Sequence, residues 1–148
     1  MPTAQSKITF ATLRDILKHH EHELVVQADD ATSYLLCSRD VVDRAGRPLF
    51  CAGVRIGKAY VSYHLMAIYA RPDLVQALSP SLRQRLHGKS CFNFKQIEPA
   101  HVLELARLTR VSLQGFARAA AAWMQQPLTG VRRATPRPRR ARAPHDRR

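Results

Sequence analysis

Residues 50–69 read FCAGVRIGKAYVSYHLMAIY, and the alternation of apolar and polar side chains along them decides the fold class. Such alternation predicts two β-strands, each with one apolar face. The predicted apolar face consists of Phe50, Ala52, Val54, Ile56, Val61, Tyr63 and Leu65. The pair Gly57-Lys58 between the strands indicates a tight reversal. Because so short a connection cannot cross over a sheet, the two strands should be antiparallel.

The segments around this hairpin predict further strands and two flanking helices. The predicted elements are strands at 24–27, 34–38 and 89–95, and helices at 9–23 and 99–124. Thr9 or Thr12 would cap the first helix, and Pro72 and Pro80 each open a short helical turn. The predicted core-facing stripe of the last helix is Val102, Leu105, Thr109, Ser112, Phe116, Ala119 and Trp123. Helices segregated from antiparallel strands indicate an α+β domain.

The charge of the chain is strongly positive and unevenly distributed. The 148 residues carry a formal net charge of +13. Residues 127–148 hold eight arginines against Asp146 alone, which accounts for +7 and leaves +6 for the rest. We therefore expect a flexible lead-in at 1–7, one folded domain at 8–126 and a disordered Arg/Pro-rich tail at 127–148. A protein this basic attracts nucleic acids or other anionic partners.

The cysteine pattern and the hydropathy of the sequence indicate a cytoplasmic protein. Cys37, Cys51 and Cys91 are odd in number and form no C-x-x-C motif, so no disulfide partner and no zinc ribbon is expected. No apolar run reaches the roughly 18 residues of a membrane span. The N-terminus lacks the basic start and apolar block of a secretory signal.

The motif KHHEHE at the end of the first predicted helix is a candidate metal site. On a helix, His19, His22 and Glu23 would share a face. Together with Asp29 or Asp30 they could ligate iron or zinc, since imidazoles and carboxylates suit both metals. The alternative is an ordinary solvated helix end.

A second candidate site lies on the face of the hairpin opposite to its apolar side. A small-ligand groove there would be lined by Arg55, Tyr60, His64, Lys89 and Asn93. The alternative is a sheet histidine that is hydrogen-bonded to a neighbour. Because the sequence contains no nucleophile elbow, zinc-protease helix, P-loop or Rossmann fingerprint, it favours binding over catalysis. The alternative is a small-molecule enzyme at this face, for which Cys91 and His64 could form a nucleophile pair if the fold brought them together.

The tail offers a third set of candidate contacts. Its composition predicts a disordered, polyproline-like segment whose arginines could hold nucleic-acid phosphates without sequence preference. The candidate contacts are Arg132, Arg133, Arg137, Arg139, Arg140 and Arg142. No aromatic residue is interleaved, so base stacking is not expected from the tail. The alternative is a solubilising tail.

Three short segments follow one another in the chain: PLFCAGVR at 48–55, VSYHLM at 61–66 and GKSCFNF at 88–94. They resemble the YdhG-like family, a bacterial domain of largely unknown function. The similarity covers roughly residues 32–118. It implies a frataxin-like sandwich with two helices on one face of an antiparallel sheet, and some relatives are proposed as intracellular iron chaperones.

Frataxins bind iron through an acidic ridge on their first helix and first strand. The acidic residues at the matching positions are Asp15, Glu21, Glu23, Asp29 and Asp30, and basic side chains are interspersed among them. The resemblance therefore implies an acidic ridge whose negative charge is partly offset by basic side chains. We expect a small binding or carrier domain, with metal handling as the version that the resemblance implies. The alternative is an accessory protein that holds nucleic acid or another anionic partner through the tail with Arg55, Lys89 and Lys95.

Overall fold

A computed structural model describes residues 2–116, 119, 120 and 122. The helices are α1 (Ala4–Lys18), α2 (Pro72–Gln76), α3 (Pro80–Arg83) and α4 (Pro99–Leu113). The strands are β1 (Val25–Asp29), β2 (Ser33–Val42), β3 (Pro48–Ile56), β4 (Val61–Leu65), β5 (Leu86–His87) and β6 (Cys91–Phe94). Two 3-10 turns lie at Glu21–Glu23 and Met66–Ala70. Within this part of the chain, no helix is long and apolar enough to cross a membrane.

The strands form a single six-stranded sheet in the order β1-β2-β3-β4-β6-β5, and every neighbouring pair is antiparallel. The predicted hairpin is at its centre, where Val54 pairs with Tyr63 and Ile56 pairs with Val61. The predicted α+β class is therefore confirmed. Because the connections are short, β1 to β4 lie side by side in chain order. The hairpin of β5 and β6 then extends the sheet, with β6 next to β4.

The helices α1 and α4 cover one face of this sheet, and the core lies between the two layers. Its fully buried side chains include Leu13, Leu17, Tyr34, Leu36, Val54, Tyr63, Leu65, Phe92, Phe94 and Leu105. The two helices run parallel to each other, because Ile8 lies near Leu103 whereas His19 lies near Arg110. The predicted apolar stripes thus meet the predicted apolar strand faces.

The first helix begins and ends earlier than the sequence predicted. Thr3 caps its start by accepting a hydrogen bond from the backbone N–H of Ser6, so the predicted lead-in is largely helical and Thr9 is a buried interior residue. At the other end the helix stops at Lys18, and the chain turns into a 3-10 turn. The prediction that KHHEHE continues the helix is wrong.

Contacts with β2 explain where the first helix ends. The hydroxyl of Tyr34 donates a 2.6 Å hydrogen bond to Glu21. The guanidinium of Arg39 donates to the backbone carbonyl of His22. These two bonds hold the segment as a turn that leads into β1. The helical spacing of the segment does not predict them, because both donors lie in β2.

The last helix is also shorter than predicted. Its regular part ends at Leu113, and Gly115 adopts a left-handed φ of +72° that other residues rarely take. The helical direction therefore breaks before the end of the predicted stripe, so Ala120 is buried and Ala119 is exposed. The predicted stripe position at Trp123 lies outside the described residues.

A bulge in β3 changes the face of one predicted core residue. Leu36 of β2 pairs with Ala52, but the next residue, Cys37, pairs with Phe50, which leaves Cys51 as the extra residue. Because the extra residue shifts the alternation of side chains by one position, Phe50 lies beside His64 on the side of the sheet away from the helices. Its predicted placement on the core face is wrong.

Candidate functional site

The face of the sheet away from α1 and α4, here called the open face, carries a compact group of polar side chains. Strand pairing arranges them in two rows that run across the strands. Arg55, Ser62 and Asn93 form one row. In the next row, His64 of β4 pairs with Cys91 of β6. We call these five residues the open-face cluster.

Hydrogen bonds connect four members of the open-face cluster. The Ser62 hydroxyl donates to Oδ1 of Asn93 at 2.8 Å, and the Cys91 thiol donates to the same oxygen at 3.4 Å. The Cys91 sulfur also lies 3.9 Å from Nε2 of His64. The side chains of Ser62, His64, Cys91 and Asn93 are all half-buried. The cluster is therefore ordered by its own contacts, while its outer surface stays accessible.

The protonation of the cluster favours binding over nucleophilic chemistry. Burial raises the pKa of the Cys91 thiol, and the opposing effect of the Ser62 hydrogen bond is smaller. Burial, and then the positive charge of Arg55, lowers the pKa of His64. At neutral pH the pair is therefore a neutral thiol beside a neutral imidazole. A cysteine nucleophile needs a thiolate, so this geometry does not favour catalysis.

An apolar patch borders the cluster on the β2 side. Leu35 and Phe50 fold over Gly53, which has no side chain to obstruct them. A Cβ atom at Gly53 would lie 2.5 Å from Cδ2 of Leu35 and 3.1 Å from the Phe50 ring. The Phe50 ring in turn meets the His64 ring edge-on, with centroids 6.4 Å apart.

Two tyrosine–lysine pairs lie at opposite ends of the β4–β6 strand pair. The ammonium of Lys95 lies 5.7 Å from the centre of the Tyr60 ring, next to the start of β4. The ammonium of Lys89 lies 5.2 Å from the Tyr69 ring, beyond the end of β4. Both tyrosines are about half exposed, at 41% for Tyr60 and 54% for Tyr69.

The structure places the predicted groove residues around this one surface. Arg55, His64 and Asn93 belong to the open-face cluster, while Tyr60 and Lys89 lie at its two ends. The alternation along residues 60–66 already assigns Ser62 to the face of His64, but the predicted groove did not include Ser62, Cys91, Lys95 or Tyr69. The position of Cys91 beside His64 depends on the strand register, which only the fold supplies.

The predicted metal ligands in KHHEHE lie on a turn and not on a helix face. His19 caps the end of α1. Nε2 of His22 lies 3.5 Å from a carboxylate oxygen of Glu23, and both side chains are about 70% exposed. The geometry that suggested a shared ligand face is therefore absent from this segment.

The two aspartates proposed as additional ligands have other partners. Asp29 lies 3.7 Å from the guanidinium of Arg14. Asp30 accepts hydrogen bonds from the backbone and side chains of Thr32 and Ser33, and these bonds lower its pKa. Among residues 2–116, 119, 120 and 122, no three His, Cys, Asp or Glu side chains are placed to hold a metal ion.

The remaining candidates lie in the tail. The six tail arginines, Arg132, Arg133, Arg137, Arg139, Arg140 and Arg142, are outside the described residues. The three cysteines are all described and are free thiols.

Comparison with known proteins does not identify a family. No family model, no curated protein and no solved structure matches this chain.

Proposed function

We propose that this chain is a non-catalytic accessory protein that binds single-stranded nucleic acid on the open face of its sheet. The observation that carries the proposal is the segregation of charge in the sequence. Residues 44–97, which form β3 to β6 and their connections, contain nine lysines and arginines but only one acidic residue, Asp73. The guanidinium of Arg71 pairs with that carboxylate at 2.9 Å.

The acidic residues are concentrated at the other end of the fold. Residues 1–43 contain seven of the eleven acidic side chains and have a net charge of −3. The β3–β6 half of the molecule, with a net charge of +8, therefore attracts anions, and the half with β1 and β2 does not. Within the basic half, Arg55 belongs to the open-face cluster and Lys95 lies at one end of it.

Aromatic side chains favour a nucleic acid over a small inorganic anion. Proteins that bind single strands combine cations for the phosphates with aromatic rings on which bases stack. Tyr60 with Lys95 and Tyr69 with Lys89 each offer both groups within 6 Å, at the two ends of one strand pair. The hydroxyl and amide of Ser62 and Asn93 lie between them and can hydrogen-bond to a base edge.

The YdhG-like resemblance, with its frataxin-like arrangement, is compatible with this proposal. A cytoplasmic setting is part of it, since free thiols at Cys37, Cys51 and Cys91 suit a reducing compartment. Metal handling, which the resemblance also implies, has no three-ligand group among the described residues to support it. We therefore place nucleic-acid binding first.

Fluorescence anisotropy with the full chain tests the proposal. The probes are labelled single strands of RNA and DNA of about 12 nucleotides and the matching duplex. We expect Arg55→Glu with Lys95→Glu to weaken single-strand binding at least about tenfold, because two phosphate contacts are reversed. We expect Tyr60→Ala to weaken it about fivefold or more through lost stacking.

The matched control is Arg107→Glu with Arg110→Glu, which makes the same charge change on the helix layer. All variants keep the arginine-rich tail. If the control weakens binding as much as the open-face double variant does, binding follows net charge alone; if neither has an effect, the tail binds the probe. Either result would mean that the proposal is wrong. Tighter binding of duplex than of single strands would also overturn it.

A further inference from the structure

A long groove between α1 and α4 lies on the surface of the helix layer, opposite to the open face. Its first section has a volume of about 470 Å³ and its second about 610 Å³. Thr12 and Val102 line both sections, so the groove is continuous. From Ile8 to His19 it follows α1 over roughly 16 Å, at 1.5 Å per residue.

The first section of the groove is apolar and is bordered by projecting aliphatic side chains. Ile97, Pro99 and Val102 line it. Ile8 and Leu103 stand on its two sides and are 59% and 75% exposed. Two large aliphatic side chains at one groove are the kind of exposed patch that marks a docking surface.

The second section is less apolar than the first and is bordered by basic side chains. Arg107 and Arg110 of α4 and His19 and His20 at the end of α1 line it, against a single carboxylate, Asp15. Neither arginine guanidinium has an ion-pair or hydrogen-bond partner among the described residues. Two arginines one helical turn apart and without partners are suited to bind carboxylates.

We propose that this groove binds an amphipathic helix of a partner protein. The partner helix carries aliphatic side chains at one end and Asp or Glu residues on the same face one to two turns further along, which matches the four and seven residues that separate Leu103 from Arg107 and Arg110. Its aliphatic side chains contact Ile8 and Leu103, and its carboxylates bind Arg107 and Arg110. The groove between two parallel helices accepts a third helix as in a helix bundle.

The shape of the groove favours a helix over a lipid chain. The groove is open to solvent along its length, so an acyl chain lying in it would remain in contact with water on one side. A helix would cover both the floor and the projecting Leu103 side chain, which removes more apolar surface from water. The opposite charge at one end would fix its direction.

Selection from a displayed library of helical peptides, with the full chain as bait, tests this inference. We expect the enriched peptides to share an aliphatic seam followed by Asp or Glu. Leu103→Ser, and separately Arg107→Glu with Arg110→Glu, should each weaken the best peptide at least about tenfold. A peptide with its acids changed to Lys should recover binding to the charge-reversed variant.

The matched control is Arg55→Glu with Lys95→Glu, which reverses two charges on the open face and should leave the peptide affinity unchanged. Because that variant impairs the proposed nucleic-acid surface and not the groove, the two proposals fail independently. Three results would each overturn the helix inference. They are a selection that enriches no peptide, equal affinity of the best peptide for the unchanged protein and for Arg107→Glu with Arg110→Glu, and displacement of that peptide by oleate. Both groove arginines and Leu103 are exposed, so circular dichroism should confirm that the variants stay folded.

Discussion

The hydroxyl oxygens of Tyr63 and Thr109 lie 2.6 Å apart inside the core, so a buried hydrogen bond joins β4 to α4. Both side chains are fully buried, and burial raises the pKa of Tyr63. The bond fixes the helix layer against the strand that carries His64 on its other face. One interaction therefore positions both surfaces to which we assign partners.

Removing one partner of this bond should destabilise the fold. We expect Tyr63→Phe and Thr109→Val each to lower the free energy of unfolding by about 1 to 2 kcal/mol, because each leaves the hydroxyl of the other residue buried without its hydrogen-bond partner. The double variant should lose less than the sum, because no polar group is then left without its partner. Urea unfolding of the four proteins measures this, and strictly additive losses would show that the hydroxyls are not coupled.

A second prediction concerns Gly53, where Leu35 and Phe50 occupy the space of a side chain. We expect Gly53→Ala to destabilise the protein by about 1 kcal/mol, because its Cβ would lie 2.5 Å from Cδ2 of Leu35, the far end of a side chain that has to move aside. Adding Leu35→Ala should recover part of this loss by opening the space. Thermal unfolding of the single and double variants measures both effects.

The start of α1 offers a third prediction. Thr3 accepts the hydrogen bond that caps this helix, so Thr3→Ala should cost about 1 kcal/mol in the free energy of unfolding. Thr3→Ser keeps the oxygen and should cost much less. Urea unfolding distinguishes the two, and equal losses for both variants would mean that the threonine methyl group matters and the cap does not.

The sequence was sufficient for the hairpin of β3 and β4 because both strands alternate strongly and the turn between them is short. It was not sufficient for the ends of α1, which depend on non-local hydrogen bonds from Tyr34 and Arg39. It also missed the bulge at Cys51, which moves Phe50 to the open face. Periodicity reports the local preference of a segment, and these features are decided by neighbouring strands.

The same distinction holds for the candidate sites. Arg55, His64 and Asn93 were predicted on one face because strand alternation assigns faces wherever no bulge interrupts the strand. Their contact with Cys91 depends on which residue of β6 lies opposite His64, and a single sequence does not give that register. The metal prediction at KHHEHE required a helix through Glu23, and the helix ends at Lys18.

The last prediction concerns His64, whose pKa is lowered by burial and then by the charge of Arg55. Because the unfolded imidazole titrates near 6.5, the folded protein binds fewer protons here. The stability contribution of His64 is therefore complete above that pH and is lost as the pH falls through the folded pKa. We expect Arg55→Ala to raise the pKa of His64 towards its ordinary value, measured by NMR titration of the imidazole. Arg110→Ala, on the other layer, should not change it. An unchanged His64 pKa in Arg55→Ala would mean that the two residues do not interact across the β3–β4 pair.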